Sequence, residues 1–172
     1  HYLYVGQLIP RKNVASLIIK TYRINTFNYY KAEARELNTG IDLDGLVANE
    51  EQRVEYKQVP LRRHVEKFEF AGIDKPGVYV VELIGNGISS RALVRKGRLT
   101  FAERTGSAGH VFTVFDENNK QLPTASLWLA GKEYKADDKG EIAVPYSNQP
   151  GTQKIILCHE GFSVLEDFSH QS

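Results

Sequence analysis

Apolar and polar residues alternate with a period of two through most of this chain. In the stretch from Gly77 to Gly85, Val78, Val80, Glu82 and Ile84 project to one side of a strand. Tyr79, Val81 and Leu83 project to the other, because side chains alternate along extended backbone. Asn86 and Gly87 then supply residues that tolerate positive φ, as a two-residue hairpin turn demands, and Ile88 to Arg95 reads as the returning strand. The hairpin is β-branched and aromatic, is bounded by Gly and Pro, and has no polar residue placed for chemistry. It points to a β-sandwich module and away from an enzyme pocket.

The same pattern predicts further strands over Tyr2–Ile9, Val14–Ile24, Gln52–Val59 (stopped by Pro60) and His64–Phe70. After Gly97 the pattern restarts. Strands are expected at Gly109–Phe115, Ala125–Leu129, Glu133–Ala136, Glu141–Val144, Gln153–His159 and Phe162–Phe168. The turns Asp116–Lys120 and Asp137–Gly140 punctuate them. Short strands with turn signals every 8 to 12 residues or so mark an all-β sandwich. The one helix expected spans about 26–38. Asn25 or Thr26 caps it, Phe27, Tyr30, Ala34 and Leu37 recur at spacings of three and four, and Gly40 ends it. Residues 41–51 form a polar connection. The expected division is a first domain at 1–97 carrying the helix as an insertion, and a second at 98–172.

Composition narrows the function classes. The chain has 172 residues, 41% of them hydrophobic, which supports a core. Acids and bases nearly cancel, 21 against 22, for a net charge of +1. That balance supplies no field to draw the chain onto nucleic acid or an anionic membrane. No stretch reaches the roughly 18 apolar residues that span a bilayer. With no methionine and His1 at its head, the sequence reads as an excised piece or a processed product. The single cysteine, Cys158, forms no internal disulfide and reads as a small buried hydrophobe. A bridge-free sandwich fits a bacterial envelope protein or a cytosolic one.

The candidate chemistry is sparse. Gly85-Asn86-Gly87 follows a strand, but Ser90 stands where a dinucleotide fingerprint needs its third glycine. Asp42, Asp44, Gly45 and Glu50 or Glu51 hint at a calcium loop, but the glycine comes fourth instead of sixth. Asp137 and Asp138 read as turn residues. His64, His110, His159 and His170 lack zinc spacing. Cys158 and His159 are strand neighbours that face opposite sides, so they form no nucleophile–base pair. No catalytic residue, metal site or cofactor is expected.

The candidate interaction surface is Trp128 together with the basic run Arg91, Arg95, Lys96 and Arg98, with Arg104, Arg62 and Arg63 nearby in sequence. The run lacks the interleaved aromatics of a nucleic-acid site and reads as a solvated face or a contact with a neighbouring domain. Alternation sets Trp128 with Ser126 and Ala130, opposite Leu127 and Leu129. Exposed, the ring could stack on a sugar; buried, it anchors a core, which is the favoured reading.

Val114–Ala125 followed by Tyr134–Pro145 resembles a transthyretin-like or carboxypeptidase-regulatory-like sandwich. Leu17–Ile24, Lys75–Glu82 and Arg91–Val94 resemble a macroglobulin-type domain. The tandem looks like part of a bacterial alpha-2-macroglobulin-like protein. That resemblance implies two tandem immunoglobulin/fibronectin-like β-sandwiches with one short inserted helix. It also implies a non-catalytic scaffold within an extracellular or periplasmic protease-trapping protein, itself secreted or membrane-anchored. Its expected partners are neighbouring domains of the same chain and a protease. The family's thioester is not here, because Cys158-His159-Glu160-Gly161 has no Gln at its end. The alternative is a glycan- or adhesion-partner-binding module of a bacterial surface protein, anchored by Trp128.

Overall fold

The computed structural model describes residues 2–5, 16–55, 66–85 and 87–170. They form thirteen strands and one helix, all paired strands running antiparallel. The chain divides into two compact units. The first comprises His1–Ile24 and Asn38–Lys96, the second Asn25–Leu37 and Gly97–Ser172.

In the first unit, β1 (Tyr2–Val5) pairs with β4 (Glu66–Glu69). A four-stranded sheet has the order β3-β2-β5-β6, built from β2 (Ser16–Arg23), β3 (Glu50–Glu55), β5 (Gly77–Gly85) and β6 (Ile88–Lys96). Alternation decides what is buried. Leu17 and Ile19 of β2 and Tyr79, Val81 and Leu83 of β5 gather with Phe68, Phe70 and Ile73 into one core. Val78 and Val80, on the opposite face of β5, are also buried. A strand buried on both faces reads as a continuous apolar run, and 78–81 is such a run. The hairpin turn shows Gly87 at φ +72°, and Asn86 lies outside the described residues, as do residues 56–65 and with them Arg62, Arg63 and His64.

The second unit is a seven-stranded sandwich. One sheet has the order β10-β9-β12-β13 and the other β11-β8-β7, from β7 (Thr100–Gly106), β8 (Gly109–Phe115), β9 (Ser126–Leu129), β10 (Lys132–Lys135), β11 (Ile142–Pro145), β12 (Gly151–His159) and β13 (Phe162–His170). Phe112 and Val114 of one sheet meet Leu127, Leu129, Ile155 and Leu157 of the other. Phe112, Val114, Leu127, Ile155 and Leu157 have no exposed surface, and burying each such side chain contributes about 1.5–3 kcal/mol. Pro145 ends the short edge strand β11, a place where a missing amide donor costs no ladder bond.

The helix differs from expectation in length and in allegiance. α1 runs from Thr26 to Glu33 and stops at Ala34, which adopts the left-handed conformation (φ 51°) and returns its amide to the Tyr30 carbonyl. The Asn25 side chain caps the other end by accepting from the Asn28 amide at 3.1 Å. The periodicity carried through Leu37 because Leu37 is buried, yet it is placed by chain beyond the helix instead of by a third turn. Although its sequence interrupts the first unit, α1 packs in the second, against β12 and β13.

Candidate interaction surface

β9, β12 and β13 set one row across the four-stranded sheet: Trp128 opposite Ile156, and Ile156 opposite Leu165. This row lies on the face away from the Leu127–Leu157 core, as alternation requires. In a bare sandwich such a face meets water. Here α1 covers part of it. The Phe27 ring meets Trp128 edge-on, centroids 5.8 Å apart at 89°. The Lys31 ammonium stands 4.5 Å from the Trp128 centroid and 5.1 Å from that of Phe27, within the range of cation–π attraction. Trp128 is therefore half-buried, neither core anchor nor open platform, and a face of its ring is engaged by the protein's own lysine.

The basic run serves mostly internal ends. Arg91 donates to Glu82 at 3.1 Å and to the carbonyl of Ile41 at 2.7 Å, tying the 38–49 loop to β6. Lys96 donates to the carbonyl of Asp74 at 2.6 Å and to that of Ile73 at 3.3 Å. Arg95 and Arg98 are exposed, but they fall in different units. Arg104 pairs with Glu141 at 3.0 Å.

The turns are self-sufficient. Asp116 Oδ1 accepts from the amides of Asn118 and Lys120, and Asp137 Oδ1 accepts from those of Lys139 and Glu141. Both loops close with the same backbone pair, Asp116 to Lys120 and Asp137 to Glu141. Asn119 and Gly140 take positive φ at matching places. The Glu141 amide holds the Asp137 carboxyl below its ordinary range; burial opposes it, and the amide and charge of Lys139 add to the lowering. These aspartates hold loops and, among the described residues, no group of three or more His, Cys, Asp or Glu could bind a metal.

One constellation escaped the sequence reading. His110 Nδ1 lies 2.8 Å from Glu103 Oε1, and its ring meets Tyr146 and Phe168 edge-on, at 5.1 and 4.9 Å. β7 and β8 pair Thr105 with His110 and Glu103 with Phe112, so the two side chains are diagonal neighbours on one face. The pairing was illegible because β7 was not foreseen as a strand. His110 is 1% exposed, so its ring is closed to a solvent-borne substrate. Cys158 accepts from the Ser163 hydroxyl at 3.4 Å. Burial pushes its thiol up, and the Ser163 bond only partly offsets this. Burial likewise pushes Glu166 up, with Glu36 adding and Arg98 opposing.

Antiparallel sheets with one short helix define an immunoglobulin-like β-sandwich fold, and the family match agrees at that level. Residues 17–97 match the family described as the AbpF first immunoglobulin-like domain. Over 168 residues the chain is 37% identical to "Actin-binding protein F" of Dictyostelium discoideum, covering 94% of this chain and 7% of that protein. Among solved structures, Escherichia coli alpha-2-macroglobulin spanning domains MG0-NIE-MG1 is similar over 91% of this chain and 56% of that one, with 13% identity and a TM-score of 0.46. The amphioxus IgVJ-C2 molecule is similar over 99% and 96%, with 12% identity and a TM-score of 0.29. Likenesses this distant carry no argument about function. The resemblance to a macroglobulin therefore narrows to the immunoglobulin-like sandwich.

Proposed function

We propose that this chain is a non-catalytic module of a large multidomain protein that works on actin filaments, where it spaces and docks neighbouring domains. The observation that carries the reading is the identity of 37% to Actin-binding protein F, sustained over 94% of the chain. A match running through both units argues for a module inherited whole, and the 7% share of the relative supports a parent with many further domains. Sandwiches of this kind act through surfaces and edges, and the buried His110 suits a structural part. A protease partner has no relative behind it. A sugar-stacking role for Trp128 meets a ring already engaged by Lys31. With actin as the target, the parent works where actin filaments are, in place of the extracellular or periplasmic setting that the macroglobulin resemblance implied. Among the described residues no helix is long and apolar enough to cross a membrane. Co-sedimentation of the parent protein with filamentous actin tests the proposal: it is expected in the pellet, and a parent that stays in the supernatant at every actin concentration overturns it.

A further inference from the structure

Two adjacent aliphatic side chains stand out in water. Leu46 is 49% exposed and Val47 is 88% exposed, at the tip of the loop that leads into β3. The loop is built to hold them there. The Leu46 amide donates to the Leu43 carbonyl at 3.1 Å, closing a turn whose Gly45 sits at φ +78°, a conformation that glycine adopts without strain. Asp42 Oδ1 accepts from the Asp44 amide at 2.9 Å. Leu43 points inward and is buried. Arg91 grips one root through the Ile41 carbonyl. Asn49 grips the other: its amide donates to the Thr21 carbonyl at 2.8 Å, and its side chain accepts from the Arg23 amide at 2.7 Å. Residues 41–51 also carry Asp42, Asp44, Glu50 and Glu51 and no Lys or Arg.

An apolar pair on a loop tied down by hydrogen bonds loses little entropy when it docks, and Asp42 and Asp44, close to it in sequence, favour a basic edge on whatever receives it. It is too small to hold a separate protein, because specific interfaces bury about 1,600 Å². A tethered partner escapes that demand, because linkage supplies an effective concentration near the millimolar range. We infer that Leu46 and Val47 form a docking knob that seats in an apolar pocket edged by Lys or Arg on another domain of the same parent chain. The inference rests on reading the chain as a module of a larger protein, which the 7% share of the relative supports.

The test places a photoreactive benzoylphenylalanine at Val47 in the parent protein, with the exposed Asp74 as the control position. Adducts are mapped by mass spectrometry. Val47 is expected to couple within the chain to a basic region outside residues 1–172, and Asp44→Lys is expected to lower the yield about fivefold. Overturning results are adducts no more abundant than at Asp74, adducts between two copies or within residues 1–172, or a yield indifferent to Asp44→Lys. If the parent pellets with filaments while the Val47 result is negative, the knob alone is wrong. A parent that fails to pellet removes the actin reading and leaves the knob standing on its own adducts.

Discussion

Lys31 stands 4.5 Å above the ring of Trp128, and this contact fixes how the helix is seated on the sheet. The two residues lie far apart in sequence and both belong to the second unit. Removing the ammonium by Lys31→Ala is expected to cost about 0.5–1 kcal/mol. Trp128→Ala, which also strips half-buried ring area, is expected to cost about 2 kcal/mol. In a Trp128→Leu background the Lys31→Ala cost should shrink to what the Phe27 contact supplies. Urea unfolding followed by circular dichroism measures the cycle, and additive costs would show that the contact contributes nothing.

Thr21 shows how a local preference yields to a face. It lies on the core side of β2, opposite Val81, and is 1% exposed. Its hydroxyl meets no hydrogen-bond partner among the described residues. An unpaired buried hydroxyl costs free energy that an isosteric methyl does not. Thr21→Val is expected to stabilise the protein by about 1 kcal/mol, read as a higher urea midpoint at unchanged slope. A lower midpoint would reveal a hydrogen bond that the variant breaks.

Asp137 sets part of the acid limb of stability. Its folded carboxyl titrates below the ordinary value, chiefly through the Glu141 amide. A carboxylate depressed on folding contributes stability that is present above the unfolded pKa, about 3.9. That contribution is lost as pH falls through the lower folded value. Asp137→Asn should therefore flatten the fall of Tm below about pH 4. An acid limb identical to that of the parent sequence would contradict the loop-holding role.

Glu166 carries the opposite sign. Burial raises its carboxyl, Glu36 and Asp167 push the same way, and Arg98 and Lys154 pull against them. A group raised on folding contributes stability that is full below its unfolded pKa and lost as pH rises through the folded one. Glu166→Gln should thus raise Tm at pH 7, with the advantage fading below about pH 4. Thermal melts across pH decide it, and a Tm lowered at pH 7 would show that the charge is wanted.

Much of the sandwich was legible because several strands bury one face and leave the other to solvent. Ile142–Pro145 alternates cleanly between buried and exposed positions, and the turns at 116–120 and 137–140 carry their own aspartate caps. β7 was missed because most of Thr100–Gly106 faces solvent, so no burial pattern marks it. That loss hid the Glu103–His110 pair. The helix was read too long because Leu37 is buried without being helical. Trp128 could be placed on its face by parity, but what covers that face comes from residues about a hundred positions upstream, which no local period reveals. Arg91 and Lys96 looked like a surface because charge is visible in sequence, while their carbonyl partners depend on loop geometry.

The most direct test of the account is single-filament fluorescence microscopy of the labelled parent protein over surface-held actin. The account expects label along the filaments, retained as unbound protein is washed away. Filaments that stay bare at every concentration of the parent would contradict it.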